Sequence, residues 1–258
     1  MRTQEPCELV VVDDGSTDER TLEVVRQLEH DGVPIVRQEN AGVAAARMAG
    51  VRATSAPYVY ALDADDELAP GALADLADAL DRDPEAVAAW GDVESFGTAS
   101  VYHTPSRTLD PWRITYLNDL PGTSLFRRRS LLEVGGWQLR DGYEDWDLWM
   151  AFAERGWHGV YVPRLMFRYR RHDEPRLWRA AAAAHERRYA ELRRRHRALF
   201  ERRVENRRRS RTAWPLKVLL PVVDALPGVS RGLKQRIFHV ANDPRAWLAF
   251  RRSRRRRR

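Results

Sequence analysis

The sequence predicts an α/β fold, a mostly parallel sheet flanked by helices, with a basic helical extension at its C-terminus. Three observations lead there. Short β-branched runs alternate with helix-spaced segments through the first 175 residues, the pattern that puts strands inside and helices outside. With 258 residues and 43% hydrophobic content, the chain can bury a large core. Charge also divides the chain: residues 176–258 hold 24 Arg and 2 Lys against 4 Glu and 2 Asp, a balance of +20, which leaves −13 for residues 1–175 out of the whole-chain +7. The expected units are therefore an acidic α/β domain over 1–175 and an Arg-rich helical extension and tail over 176–258.

The elements follow in order. Residues 8–12, ELVVV, suit a strand buried on both faces. DDGSTDE then offers Gly15 for a turn and an S-x-x-E capping box from Ser16 to Glu19, opening a helix with Leu22, Val25 and Leu28 on one face. VPIV at 33–36 is a second strand, NAGVAAARMAGVRA at 40–53 a small-residue helix, and YVYAL at 58–62 a third strand. Leu73, Leu76, Ala77 and Leu80 mark another helix, and AVAAWGDVESFG at 86–97 another strand. Residues 99–122 are irregular and interrupted by proline, which predicts a mobile loop. Trp146, Leu148, Trp149, Phe152 and Ala153 give the next helix a heavy apolar face, and VYVP at 160–163 is the last strand.

The sharpest chemical feature is LDADDEL at 62–68, which gathers carboxylates at the end of a buried strand. Ionised carboxylates beside apolar residues are costly unless a cation or hydrogen bonds compensate. An EF-hand loop does not fit, because the sixth position from Asp63 is Leu68 rather than Gly and the twelfth is Ala74 rather than Glu. A phosphatase of the haloacid dehalogenase kind, with Asp63 as nucleophile, is the closer rival, but Glu67 stands where its motif has Thr or Val. A bland alternative keeps the carboxylates solvated at the head of the next helix.

Taken together, VVVDDGSTD at 10–18, N-A-G-x-x-x-A-R at 40–47, LDADDEL at 62–68 and GGW followed by GYEDWDLW at 135–149 resemble family 2 glycosyltransferases, which have the GT-A fold, over residues 4–172. The resemblance implies an inverting, metal-dependent transfer of sugar from a nucleotide-diphosphate donor, a UDP-sugar foremost, to a hydroxyl of a glycan or lipid-linked acceptor. Asp13 and Asp14 would bind the nucleotide, Arg47 would lie near the base or diphosphate, and Asp63 would lie against the donor. Asp63 and Asp65 would hold Mg²⁺ or Mn²⁺, with His172 close to the metal. Asp145, paired with Glu144, would be the general base. Trp137 and Trp146 are candidates for an acceptor pocket or for core. A non-catalytic nucleotide-sugar-binding relative is the alternative of another class.

Members of that family carry a further apolar strand about 30 residues before the segment equivalent to ELVVV. Here RTQEPC precedes ELVVV directly, so the edges of the strands that would flank it are expected to lack partners. In the extension, prolines 215, 221 and 227 break up the apolar stretch TAWPLKVLLPVVDALPG too often for it to span a bilayer. It can lie on an anionic membrane surface, with Trp214, Leu219 and Leu220 dipping inward. Nucleic acid is disfavoured as a partner, since no aromatics interleave with the arginines as a stacking platform needs. The single cysteine, Cys7, allows no internal disulfide. The expected location is cytoplasmic, peripheral on the inner face of the plasma membrane where the basic part meets lipid.

Overall fold

The computed structural model describes residues 6–98, 100–140, 142–171 and 175–242. Strands β1 (Val11–Asp13) and β2 (Ile35–Arg37) pair in parallel, joined by helix α1 (Glu19–His30). The expected capping box does not form. Asp18 caps α1 through Thr21 N–H at 2.9 Å, while Ser16 gives its backbone N–H to Asp13. The chain is still turning at Ser16, because Gly15, at φ 77°, passes so close to Asn40 that a Cβ there would sit 2.7 Å from its nitrogen.

Helix α2 (Val43–Ala53) leads to β3 (Tyr58–Tyr60), the edge of a second sheet with the order β3-β7-β5-β8-β4 and β6 added on β5. Its other members are β4 (Glu67–Leu68), β5 (Ala88–Gly97), β6 (Val101–His103), β7 (Leu125–Arg127) and β8 (Val160–Arg171). The α/β class holds, but the pairing is mixed rather than mostly parallel. β1–β2 and the long β5–β8 ladder are parallel, and the other four pairings are antiparallel. β4 and β7 are only two and three residues long, and both run against their neighbours. Among the described residues β1 pairs only with β2 and β3 only with β7, so the two sheets share no ladder.

Apolar side chains cover both faces of the larger sheet. Helix α3 (Ala72–Arg82) presents Leu76 and Leu80, both fully buried, to one face. On the other lie α4 (Arg128–Glu133), α5 (Glu144–Glu154), α6 (Pro175–Arg195) and α7 (Arg197–Glu201), with Trp90, Phe126, Trp149 and Phe152 at the centre. Trp149 meets Trp90 edge-on at 5.3 Å and Phe126 at 5.4 Å. Trp137 and Trp146, at 3% and 4% exposure, belong to this core.

The expected mobile loop at 99–122 is instead packed. After β6 and a 3-10 turn at Arg113–Thr115, Trp112, Tyr116 and Leu117 bury against α9 (Trp214–Ala225) and α10 (Arg231–Asn242). Arg203, at the start of α8 (Arg203–Arg209), donates to Thr115 Oγ1 and O. Prolines suggested irregularity, but the apolar residues between them supply the burial. Leu219 and Leu220 also depart from expectation: they pack into this third cluster rather than facing outward. No helix among the described residues is long and apolar enough to cross a membrane.

The β5–β8 ladder slips in register on both sides of Asp92: Pro163 and Arg164 bulge out of β8 between the partners of Gly91 and Asp92, and Met166 is skipped between those of Asp92 and Val93. Gly91 faces that bulge. A Cβ there would lie 2.6 Å from the carbonyl oxygens of Val162 and Arg164. Gly91→Ala is expected to lower stability by about 1–3 kcal/mol, read as a lower melting temperature with the fold retained.

Candidate active site

Asp13 and Asp14 lie at the carboxyl end of β1 and Asp63 and Asp65 in the turn after β3, where ligands bind in open α/β sheets, whereas Arg47 and the Glu144–Asp145 pair come from helices α2 and α5. β1 ends on Asp13, whose carboxylate accepts Ser16 N–H at 3.0 Å. Asp14 accepts Gln38 Nε2 at 2.7 Å and the backbone N–H groups of Ala41 and Gly42, both at 2.9 Å. Burial opposes its charge, but these donors hold its carboxyl below the usual range. Asp14 thus fixes the loop that starts α2.

Beyond β3 the chain makes the acidic turn. Pairing of β4 with β8 anchors its far side, and Asp66 accepts Arg170 N–H at 2.8 Å. Burial, followed by the charges of Asp65 and Asp63, raises the Asp66 carboxyl to about 6 despite that hydrogen bond. Asp65 is exposed, and Asp63 is half-exposed. Both present hard oxygen donors. No group of three or more His, Cys, Asp or Glu side chains that could hold an ion exists among the described residues. Donors of this kind fit a hard divalent cation that completes its shell with substrate phosphate oxygens and water. His172 lies outside the described residues.

Arg47, on α2, joins the turn to α5. Its Nη2 donates to Asp63 and its Nη1 to Glu144, each at 3.0 Å. Its guanidinium sits 5.6 Å from the centre of the Trp137 ring, and only 11% of the side chain is exposed. Burial works against its charge, but Asp63 and Glu144 keep the guanidinium firmly protonated. Arg47 Nε and Trp137 Nε1, both buried, have no hydrogen-bond partner among the described residues. Asp13 and Asp14 make no hydrogen bond to this cluster among the described residues, although Asp14 fixes the head of the helix that carries Arg47.

Helix α5 begins abruptly. Gly142 and Tyr143 both take positive φ, 93° and 68°, and for tyrosine that conformation costs about 1–3 kcal/mol. The kink puts Glu144 and Asp145 in the first turn. Asp145 accepts Trp146 N–H at 2.7 Å and Asn118 Nδ2 at 3.0 Å. Burial first, then the Glu144 charge, raises its carboxyl to about 6 against the opposing pull of Trp146 N–H and Arg47. A carboxylate tuned in this way suits proton abstraction near neutral pH.

The sequence model described as Glycosyl transferase family 2 matches residues 1–135. The chain belongs to this family. An uncharacterized glycosyltransferase of Mycobacterium tuberculosis is 29% identical over 174 residues, 60% of this chain and 73% of the relative. Chondroitin synthase of Escherichia coli is 26% identical over 168 residues, covering 58% of this glycosyltransferase but only 22% of the synthase. Succinoglycan biosynthesis protein ExoU of Rhizobium meliloti is 43% identical over 76 residues, 28% of this chain and 22% of ExoU. Among solved structures, S. aureus TarS 1–349 in complex with UDP-GlcNAc superposes with a TM-score of 0.56 at 16% identity, over 84% of this chain and 63% of the TarS chain. It shares the GT-A fold.

Three contributors to the site of this family 2 chain escape sequence reasoning. Asn118 bonds the candidate base from inside the segment read as a loop. Gly122 lets that segment pass Asp145, where a Cβ would lie 3.4 Å from the Asp145 Cβ. Asp147, two residues after Asp145 and 2% exposed, is held by Arg195 Nε at 2.7 Å and His196 Nε2 at 2.9 Å. The signal for Asn118 was the apolar density around it, and for Asp147 a charge within an apolar helix face.

The Asp147 clamp titrates. Burial opposes protonation of His196, but bonds to Asp147 and Glu154 raise its pKa overall, whereas Asp147 is lowered by His196 and Arg195 against its own burial. The His196 contribution is therefore full below its unfolded value of about 6.5 and fades as pH climbs through the folded value. The Asp147 contribution is full above its unfolded value and fades as pH falls through the depressed one. His196→Gln is expected to lower the melting temperature more at about pH 6 than at about pH 9, as read by parallel thermal melts of both proteins.

Proposed function

We propose that this chain transfers a sugar from a nucleotide-diphosphate donor to an acceptor hydroxyl in one inverting displacement assisted by Mg²⁺ or Mn²⁺. The observation that carries this reading is the buried Arg47 bridge, which ties the acidic turn to the pair Glu144–Asp145 and leaves buried donors on Arg47 and Trp137 without partners among the described residues. A buried guanidinium beside the exposed Asp65 and the half-exposed Asp63 is chemistry suited to a diphosphate. The acceptor is a glycan or a lipid-linked glycan, as the names of the chondroitin synthase and ExoU relatives favour. A UDP-sugar is the first donor to test, since the TarS structure of like fold was solved with UDP-GlcNAc. The basic extension brings the chain to an anionic membrane surface.

In the reaction, Asp145 takes the proton of the acceptor hydroxyl as its oxygen bonds to the anomeric carbon. The bond from that carbon to the diphosphate breaks on the opposite face, and its electron pair leaves with the diphosphate. Asn118 and Trp146 N–H orient the Asp145 carboxylate. Arg47 binds the diphosphate and stabilises its growing charge. A divalent cation held at Asp63 and Asp65 would neutralise further charge on the leaving group.

Thermal unfolding with UDP, GDP and dTDP, with and without Mn²⁺, tests the donor site directly. A ligand at about 100 times its Kd adds about 2.7 kcal/mol. A metal-dependent shift with one nucleotide, lost in Asp65→Ala, is expected; no shift in a cooperatively folded chain overturns the donor reading.

The transfer rate is expected to rise with pH through about 6 as Asp145 loses its proton beside Glu144, Arg47 and Tyr143. Asp145→Asn should abolish transfer and keep nucleotide binding. Asn118→Ala, which removes a donor to the ionised form, should move the acid limb up by about 1 pH. An unchanged limb would leave Asn118 without the orienting role.

A further inference from the structure

Helix α9 is apolar nearly all round, and the protein covers only part of it. Leu216, Leu219, Leu220 and Val223 pack on Trp112, Tyr116, Leu117 and Phe238. On the far side, Trp214, Val218, Val222 and Leu226 follow one another at four-residue spacing and so form one ridge. Trp214 is 71%, Val222 56% and Leu226 41% exposed. A helix apolar on every side is normally buried in protein or in lipid. Leu233 on α10, 49% exposed, lies in the same two-helix unit.

We propose that this ridge is a docking face that seats α9 in the headgroup region of an anionic bilayer. The occupant follows from charge. Exposed Arg207, Arg208, Arg209 and Arg211 directly precede Trp214, and residues 176–258 carry +20. A second copy meeting the ridge would bring two such basic sets together. A nucleic acid would satisfy the arginines but leave the apolar ridge in water. Anionic lipid satisfies both, with arginines at the headgroups and Trp214 and Val222 below them. Pro221 inside α9 and its twelve-residue length fit a helix lying on the surface rather than one crossing it. The inference rests on the membrane-surface reading of the extension and is independent of the transfer reaction.

The test is co-sedimentation of the full chain with phosphatidylcholine vesicles, with and without phosphatidylglycerol, for the parent and for Trp214→Ser/Val222→Ser. The parent is expected to bind only the anionic vesicles, and the double variant to partition about tenfold less at an unchanged melting temperature. Undiminished binding by the variant overturns the ridge as the contact while leaving a purely electrostatic membrane reading standing. No binding by the parent overturns both, and a concentration-dependent dimer that the double variant abolishes overturns the ridge as the lipid contact. Should the double variant fold poorly, Val222→Cys on a Cys7→Ser background, labelled with an environment-sensitive fluorophore, gives a second readout. A blue shift with anionic vesicles supports the proposal, and an unchanged spectrum overturns it.

Discussion

The site depends on one guanidinium. Arg47 comes from α2, Asp63 from the turn after β3, and Glu144 from the start of α5, three pieces that share no backbone hydrogen-bond ladder. Burying a charge is costly, and a buried pair is maintained only where further bonds compensate. Here the cost is shared by two carboxylates and the face of Trp137. Removing either carboxylate would leave a cation short of compensation, and removing Arg47 would leave carboxylates facing one another. The acidic turn and the candidate base are thus interdependent before any ligand arrives, which a chance cluster of surface charges would not be.

A second layer of support comes from the C-terminal helices. Tyr189 and Leu192 of α6 and Leu199 of α7 lie in the same core as Trp149 and Phe152. Arg195 and His196 grip Asp147, two residues beyond the candidate base on α5. A charge buried in the helix that carries the candidate base is thereby satisfied by residues at the junction of α6 and α7. Such a contact contributes directional constraint that apolar packing alone lacks. The strained Tyr143 at the head of α5 can be held in its conformation only because the helix behind it is fixed.

Much of this was legible in the sequence, for identifiable reasons. Strands β1, β2, β3 and β5 and helices α1, α2, α3 and α5 announce themselves because each buries a continuous run or a regular face. Strands β4 and β7 do not, since two or three residues carry no periodicity. Arg47, Asp63 and Glu144 stand out through the motif resemblance, yet nothing local could show that they meet, with 16 and 97 residues between partners. Asn118 was hidden because prolines and the lack of periodicity mark a segment as irregular. Irregular is not the same as mobile: the apolar content of 109–120 was the better guide to its burial. The outward face of α9 was misread because sequence can say that a helix is apolar all round but not which side its neighbours cover.

The position of Asn118 shows how far local chemistry can depend on distant packing. Its segment is held at Asp110 by Thr212, at Thr115 by Arg203 and Tyr189, at Tyr116 by Gln235, and at Asp119 by Asn242. These anchors come from α6, α8, α10 and the stretch before α9, and every one bears on a segment of ten residues. A segment so closely pinned cannot shift at one end alone, so the place of the Asn118 amide against Asp145 reflects the packing of the whole helical extension. The basic extension is therefore more than an appended patch of charge: Arg203 points inward to hold the segment that reaches the candidate base, and Arg207, Arg208, Arg209 and Arg211 are exposed beside the apolar ridge. One set of helices consequently links the surface that would meet a membrane to the carboxylate that would accept the proton.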